Sequence, residues 1–120
     1  METLSPAGKD YLEAVLTLEQ QGERVQSVDL SRLMGVTRAS VSRAVGQLCE
    51  GGYLEMDGRT LRLTESGRAA AEDAREKQRF FEQMLLRAGV GAARARLDAH
   101  RIRHAVSEES YLRLKAQREV

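Results

Sequence analysis

The 120-residue chain has one cysteine, so no intrachain disulfide can form, and Cys49 ends an apolar-periodic segment as a buried structural thiol would. It has one proline, which leaves long helical patterns uninterrupted. With 42% hydrophobic and 31% charged residues, that scarcity describes a folded helical protein rather than a disordered tail. No stretch approaches the roughly 18 continuous apolar residues of a membrane span. The N-terminus lacks the charged-then-apolar pattern of a secretory signal, so a cytoplasmic protein without membrane partners is expected. There is no nucleophile motif, no phosphate-cradling glycine loop and no His-Glu-x-x-His helix, which leaves an enzyme without support. The net charge of +1 carries no argument about nucleic acid, because what matters is where charge lies. Acid is missing locally: none occurs between Asp29 and Glu50, a window holding Arg32, Arg38 and Arg43.

The patterns that are present define a mainly α chain with a small β wing. Ser5-Pro6 is a helix start, with serine as N-cap, and Tyr11, Leu12, Val15, Leu16 and Leu18 recur at helical spacing to about Gln21. After Gly22, the residues Val28, Leu30 and Leu33 mark a short helix closing at Gly35. Thr37 caps a third helix with Val41, Val45 and Leu48 as its buried stripe. Gly51-Gly52 stops it, and 53–56 and 60–63 alternate around Asp57-Gly58-Arg59 as a two-stranded wing. Thr64 caps a long helix through Leu86, with Ala70, Ala74, Phe81 and Leu85 apolar. Gly89 and Gly91 break it. A fifth helix from Ala92 carries Ala95, Ala99, Ile102 and Val106 on one side and Leu97, His100 and His104 on the other, and Ser107 caps a last short helix. The expected organisation is a winged helix-turn-helix over 1–64 and a helical dimerisation and sensor region over 65–120.

A recognition helix needs short polar and basic side chains where it enters the major groove and an opposite face held by the core. The third helix meets both demands. Arg38 and Arg43 suit guanine edges or phosphates, Ser40 and Ser42 suit bases or backbone, Gln47 shares the polar surface, and Thr37 with the helix N-terminus suits a phosphate. Arg59 at the wing tip is placed to probe the neighbouring minor groove. A competing reading is that the arginines only solvate a helix, or that the face binds another protein. A double-stranded DNA reader should lose affinity on the order of a thousandfold over a modest rise in salt, whereas an apolar protein contact should not.

The order of elements resembles the iron- and manganese-dependent repressors, that is, the diphtheria-toxin-repressor and manganese-regulator family. The residues carrying the resemblance are Asp10-Tyr11-Leu12-Glu13, Val36-Thr37-Arg38-Ala39-Ser40-Val41-Ser42, Leu63-Thr64-Glu65-Ser66-Gly67 and His104-Ala105-Val106-Ser107. The first and last are the more diagnostic. The resemblance implies a homodimer joined through the fourth and fifth helices, bound to a palindromic operator when metal sets the separation of the reading heads. Ala70, Ala74, Phe81, Ala95 and Ala99 are expected to allow that close helix contact.

The resemblance also implies metal ligands from the first, fourth and fifth helices. Asp10 and Glu13 share a helix face, and His104 falls at a family ligand position. Other positions depart: Gln78 stands where the family has histidine, His100 where it has glutamate or cysteine, and Arg103 where it has glutamate. One outcome is a rewired site of Asp10, Glu13, His100 and His104, with Glu82, favouring zinc, cobalt, nickel or iron(II) over manganese. The other is a salt bridge of Arg103 with Asp10 or Glu13 that replaces the metal, giving a metal-independent regulator.

Overall fold

A computed structural model describes residues 4–118 as α1 (Pro6–Gln20), α2 (Ser27–Met34), α3 (Arg38–Glu50), β1 (Leu54–Asp57), β2 (Thr60–Leu63), α4 (Glu65–Arg87), α5 (Ala92–Ala105) and α6 (Glu108–Arg118). The chain divides within α4 into two compact units, one ending at Asp73 and one beginning at Ala74. Both are organised around their own buried cluster.

In the first unit, local signals set the helix ends. The Ser5 hydroxyl accepts from Gly8 N at 3.0 Å, and Pro6 sits where a missing N–H costs nothing. Gly35 ends α2 in the left-handed region at φ +67, open to glycine without strain. Asp29 caps the start of α2 by accepting from Gln26 N at 2.8 Å. The turn leads to Thr37, whose Oγ1 accepts from Ser40 N at 3.1 Å and begins α3.

Leu12, Val15 and Leu16 of α1, Leu30 of α2, Val41 of α3 and Leu61 of β2 are fully buried together. Each such side chain contributes roughly 1.5–3 kcal/mol over its exposed state. Cys49 is half-buried at the edge of this cluster, and its partial burial pushes the thiol pKa up, which disfavours a reactive thiolate.

The wing is one antiparallel pair, Leu54 opposite Leu63 and Asp57 opposite Thr60. It starts one residue later than the alternation predicts. Its inner edge is tied back by Val25, whose carbonyl accepts from Leu61 N at 2.7 Å. Thr64 closes the base: its hydroxyl donates to Gly52 O at 2.6 Å and accepts from Gly67 N at 3.0 Å, while Thr64 N donates to Tyr53 O. Glu19 adds a clamp from α1, with Oε1 accepting from Arg68 at 2.8 Å.

The second unit packs the later part of α4 with α5 and α6. Phe80, Phe81, Ala99 and Tyr111 form its centre, and Phe80 meets both other rings edge to face at centroid distances of 5.1 and 5.4 Å. Tyr111 OH donates to Glu76 at 3.0 Å, and Glu76 also pairs with Lys115. Lys77 is 8% exposed; its ammonium pairs with Glu108 at 2.6 Å and lies 5.4 Å from the Tyr111 ring centre. Ser107 caps α6 by accepting from Ser110 N at 3.1 Å.

One expectation is corrected here. Ala74, Phe81, Ala95 and Ala99, read as a face for a second subunit, are buried within the single chain, and Ala70 is half-buried against the first core. Small side chains allow close helix approach, and intrachain packing uses it first. The large apolar side chains exposed on the second unit are Met84, Leu86, Leu97, Leu112 and Leu114.

Candidate nucleic-acid interface and metal-ligating residues

Helix α3 has two sharply different sides. Val41, Val45 and Leu48 are 0%, 5% and 4% exposed, whereas Arg38, Ser42, Arg43 and Gln47 all face solvent. At about 100° per residue these four, with Gly46 among them, occupy one continuous arc. The core thus holds the helix by its back and leaves a polar, basic front. Thr37 is exposed, but its hydroxyl is engaged at both ends, accepting from Ser40 N and donating to Ser40 Oγ at 2.9 Å. Ser40 is half-buried and serves this cap, so the outward polar reach of α3 comes from Ser42 rather than Ser40.

The wing tip presents Arg59, fully on the surface next to Gly58, whose φ is +64. Arg62 pairs with Asp57 at 3.0 Å across the two strands, with both side chains largely exposed. Such a pair is worth little stability. Between the start of α1, the end of α3 and Tyr53 lies an open groove of about 850 Å³, which among the candidate DNA-contacting residues touches Gln47 alone.

The sequence-predicted metal ligands lie on both units. Asp10 and Glu13, three residues apart on α1, are each half-buried. In the second unit His100 is exposed and His104 half-buried, one turn apart on α5, with ring centres 4.8 Å apart and edge to face. Glu82 is half-buried on α4 and accepts from Gln78 Nε2 at 3.1 Å. The same Nε2 donates to Arg96 O at 3.1 Å, joining α4 to α5. Arg103 is 5% exposed and donates from one terminal nitrogen to Ala74 O at 3.1 Å, a helix-to-helix bond that periodicity alone does not foresee.

The chemistry of this set suits a divalent ion. Two neutral imidazoles on one helix turn are strong ligands for borderline metals, and Gln78 Oε1 is a buried acceptor with no hydrogen-bond partner among the described residues.

Two family models decide the assignment. One, described as the N-terminal DNA-binding domain of the iron-dependent repressors, matches residues 3–60; the other, their metal-binding and dimerisation domain, matches 64–118. The chain belongs to the iron-dependent repressor family. It is a member of a family of metal-dependent transcriptional repressors, and the DNA-binding winged helix followed by a helical region is the family's architecture.

Among curated relatives of this repressor family, the transcriptional regulator MntR of Escherichia coli O157:H7 is 33% identical over 102 residues, covering 84% of this chain and 66% of that protein. Among solved structures, T. acidophilum IdeR superposes with a TM-score of 0.74 at 27% identity, over 100% of this chain and 56% of that one. The metal-dependent transcriptional regulator MtsR superposes at 0.88 with 22% identity, over 95% of this chain and 54% of the other, and speaks for the fold alone. The chain therefore spans just under two thirds of the curated relative and about half of these two solved proteins. Among the described residues no helix is long and apolar enough to cross a membrane.

Proposed function

We propose that this chain is a sequence-specific DNA-binding transcription regulator, acting as a repressor, that binds a palindromic operator as a homodimer. The reading head is residues 1–64 and the dimerisation and sensor region 65–120. The observation that carries the reading is the front of α3, where Arg38, Ser42, Arg43 and Gln47 are exposed while the opposite side is locked in the core. Arg38 and Arg43 engage guanine edges or phosphates, Ser42 and Gln47 base edges, Thr37 and Ser40 the helix N-terminus near a phosphate, and Arg59 the adjoining minor groove. Palindromy follows from a two-fold axis that sets two such helices about one turn of DNA apart. The exposed Met84, Leu86, Leu97, Leu112 and Leu114 supply apolar surface for the second copy.

The manganese response of the family is altered or lost in this member. Gln78, His100 and Arg103 replace the histidine, the glutamate or cysteine, and the glutamate of the family pattern, while Asp10, Glu13, Glu82, His100 and His104 remain competent ligands. A bound ion would draw its affinity from imidazole and favour zinc, cobalt, nickel or iron(II). Its charge would join carboxylates of the reading head to histidines of the sensor region. The fixed Arg103–Ala74 bond supports this reading, because it draws guanidinium charge toward a backbone carbonyl. Pairing of Arg103 with Asp10 or Glu13 instead makes the regulator metal-independent.

The test begins with chelator-treated protein and selection of bound duplexes from a random pool. Enrichment of a palindrome, with affinity falling steeply as salt rises, is the expected result. Binding indifferent to salt and to DNA sequence would point to a protein-binding module and remove the proposal. Adding metals one at a time then reads the sensor: tight specific binding only with manganese would refute the altered response.

A further inference from the structure

The amide of Gln78 is held in one orientation. Its Nε2 donates to Glu82 Oε1 and to Arg96 O, both at 3.1 Å. A carboxylate and a backbone carbonyl only accept, so a flipped amide would set oxygen against oxygen twice. The orientation that satisfies both leaves Oε1 buried, with no hydrogen-bond partner among the described residues. Buried acceptors are nearly always satisfied, and an amide oxygen facing no donor is chemically a cation ligand.

A second observation says which cation chemistry. Arg96, whose carbonyl pins the amide, lies one helical turn before His100 on α5, and His100 one turn before His104. Residues at that spacing share a helix face, so the amide is anchored to the face that carries both imidazoles. Those rings already lie 4.8 Å apart.

We infer that Gln78 ligates a divalent transition metal through Oε1 together with His100 and His104, and that Glu82 is the positioning residue that holds the amide. This rests on the rewired-site reading above and deepens it by giving a chemical role to the residue that replaces the family's histidine. A neutral oxygen beside two imidazoles adds no charge, so it does not compensate the ion as a carboxylate would. The set therefore favours metals that bind imidazole strongly, namely zinc, cobalt, nickel and iron(II), over manganese.

The experiment uses the full chain, stripped with chelator and titrated with cobalt(II). Visible absorption and calorimetry report binding, and protein labelled with ¹⁵N-glutamine reports by NMR. Gln78→Leu, Glu82→Gln and His104→Ala are compared, with metal-free melting curves as the check on folding. Expected are a cobalt band in the wild type and one glutamine side-chain NH₂ pair shifted strongly by the paramagnetic ion. In Gln78→Leu that pair should vanish, the band should change shape, and affinity should fall by roughly 10- to 100-fold. Glu82→Gln should weaken binding less and keep the shifted pair. Wild-type affinity and band in Gln78→Leu, with both lost in His104→Ala, would overturn the role of Gln78 and leave the histidine site standing. No cobalt bound by the wild type would overturn both. If Gln78→Leu does not fold, the wild-type NMR spectrum decides: no strongly shifted glutamine pair in cobalt-loaded protein overturns the inference. DNA binding enters none of these readouts, so the outcome is separable from the operator proposal.

Discussion

Replacing Gly67 by alanine would put a methyl carbon 1.9 Å from the Tyr53 carbonyl oxygen and 2.9 Å from its carbon. Ordinary carbon-to-oxygen approach is about 3.3 Å, so backbone would have to retreat by about 1.4 Å. The obstacle is main chain, and the same carbonyl accepts from Thr64 N, whose side chain bonds both Gly52 O and Gly67 N. Retreat therefore loosens the joint between the wing and α4. Overpacking of this kind costs about 1–3 kcal/mol, and one weakened hydrogen bond adds about 1 kcal/mol. For a small domain a loss of about 2–4 kcal/mol corresponds to a fall in Tm of roughly 10–20 °C. Circular-dichroism melting measures it. The control is Gly46→Ala, where an added Cβ meets nothing within 4 Å in the middle of exposed α3; it should stabilise by about 0.5–1 kcal/mol. A Gly67→Ala protein melting within about 2 °C of wild type, or a Gly46→Ala protein less stable than Gly67→Ala, would refute the close-approach argument.

Arg43→Ala and Arg38→Ala should each weaken binding to the selected operator by roughly 10- to 100-fold. Where the lost contact is to phosphate, the salt dependence should flatten by about one ion, as titrations at several salt concentrations would reveal; unchanged affinity in both variants would remove α3 as the reader. Glu76 has its pKa lowered by hydrogen bonds from Lys115 and then Tyr111, so the stabilisation it provides is complete above the ordinary carboxylate range and is lost as pH falls through its depressed folded value. The group is largely exposed, so the effect is small. Melting of Glu76→Gln against wild type between pH 6 and pH 3 should show a gap that narrows toward acid; a gap that widens would reverse the sign argued here.

The helix limits were legible because their causes lie within about four residues of chain. Ser5-Pro6, Gly35, Thr37 and Gly51 each act on the turn beside them, and α1, α2, α3, β2 and α5 begin or end where those residues stand. The buried stripe of α3 was equally legible, since helical periodicity alone puts Val41, Val45 and Leu48 on one side and Arg38 and Arg43 on another. Half of the site argument, the DNA-facing surface, follows from that.

Other features needed the folded chain. The Val25–Leu61 bridge, the requirement for glycine at 67, the carbonyl held by Arg103 and the orientation of the Gln78 amide all join residues far apart in sequence. Periodicity names an apolar face without naming what will cover it. So Ala74, Phe81, Ala95 and Ala99 read as surface for a second subunit, and packing within the chain took them. Composition and pattern determined that this is a helix-rich chain with an acid-free basic window; only tertiary structure decided which polar atoms are satisfied and which, like Gln78 Oε1, are left facing a ligand, because hydrogen-bond partners are set by distance in space and not along the chain.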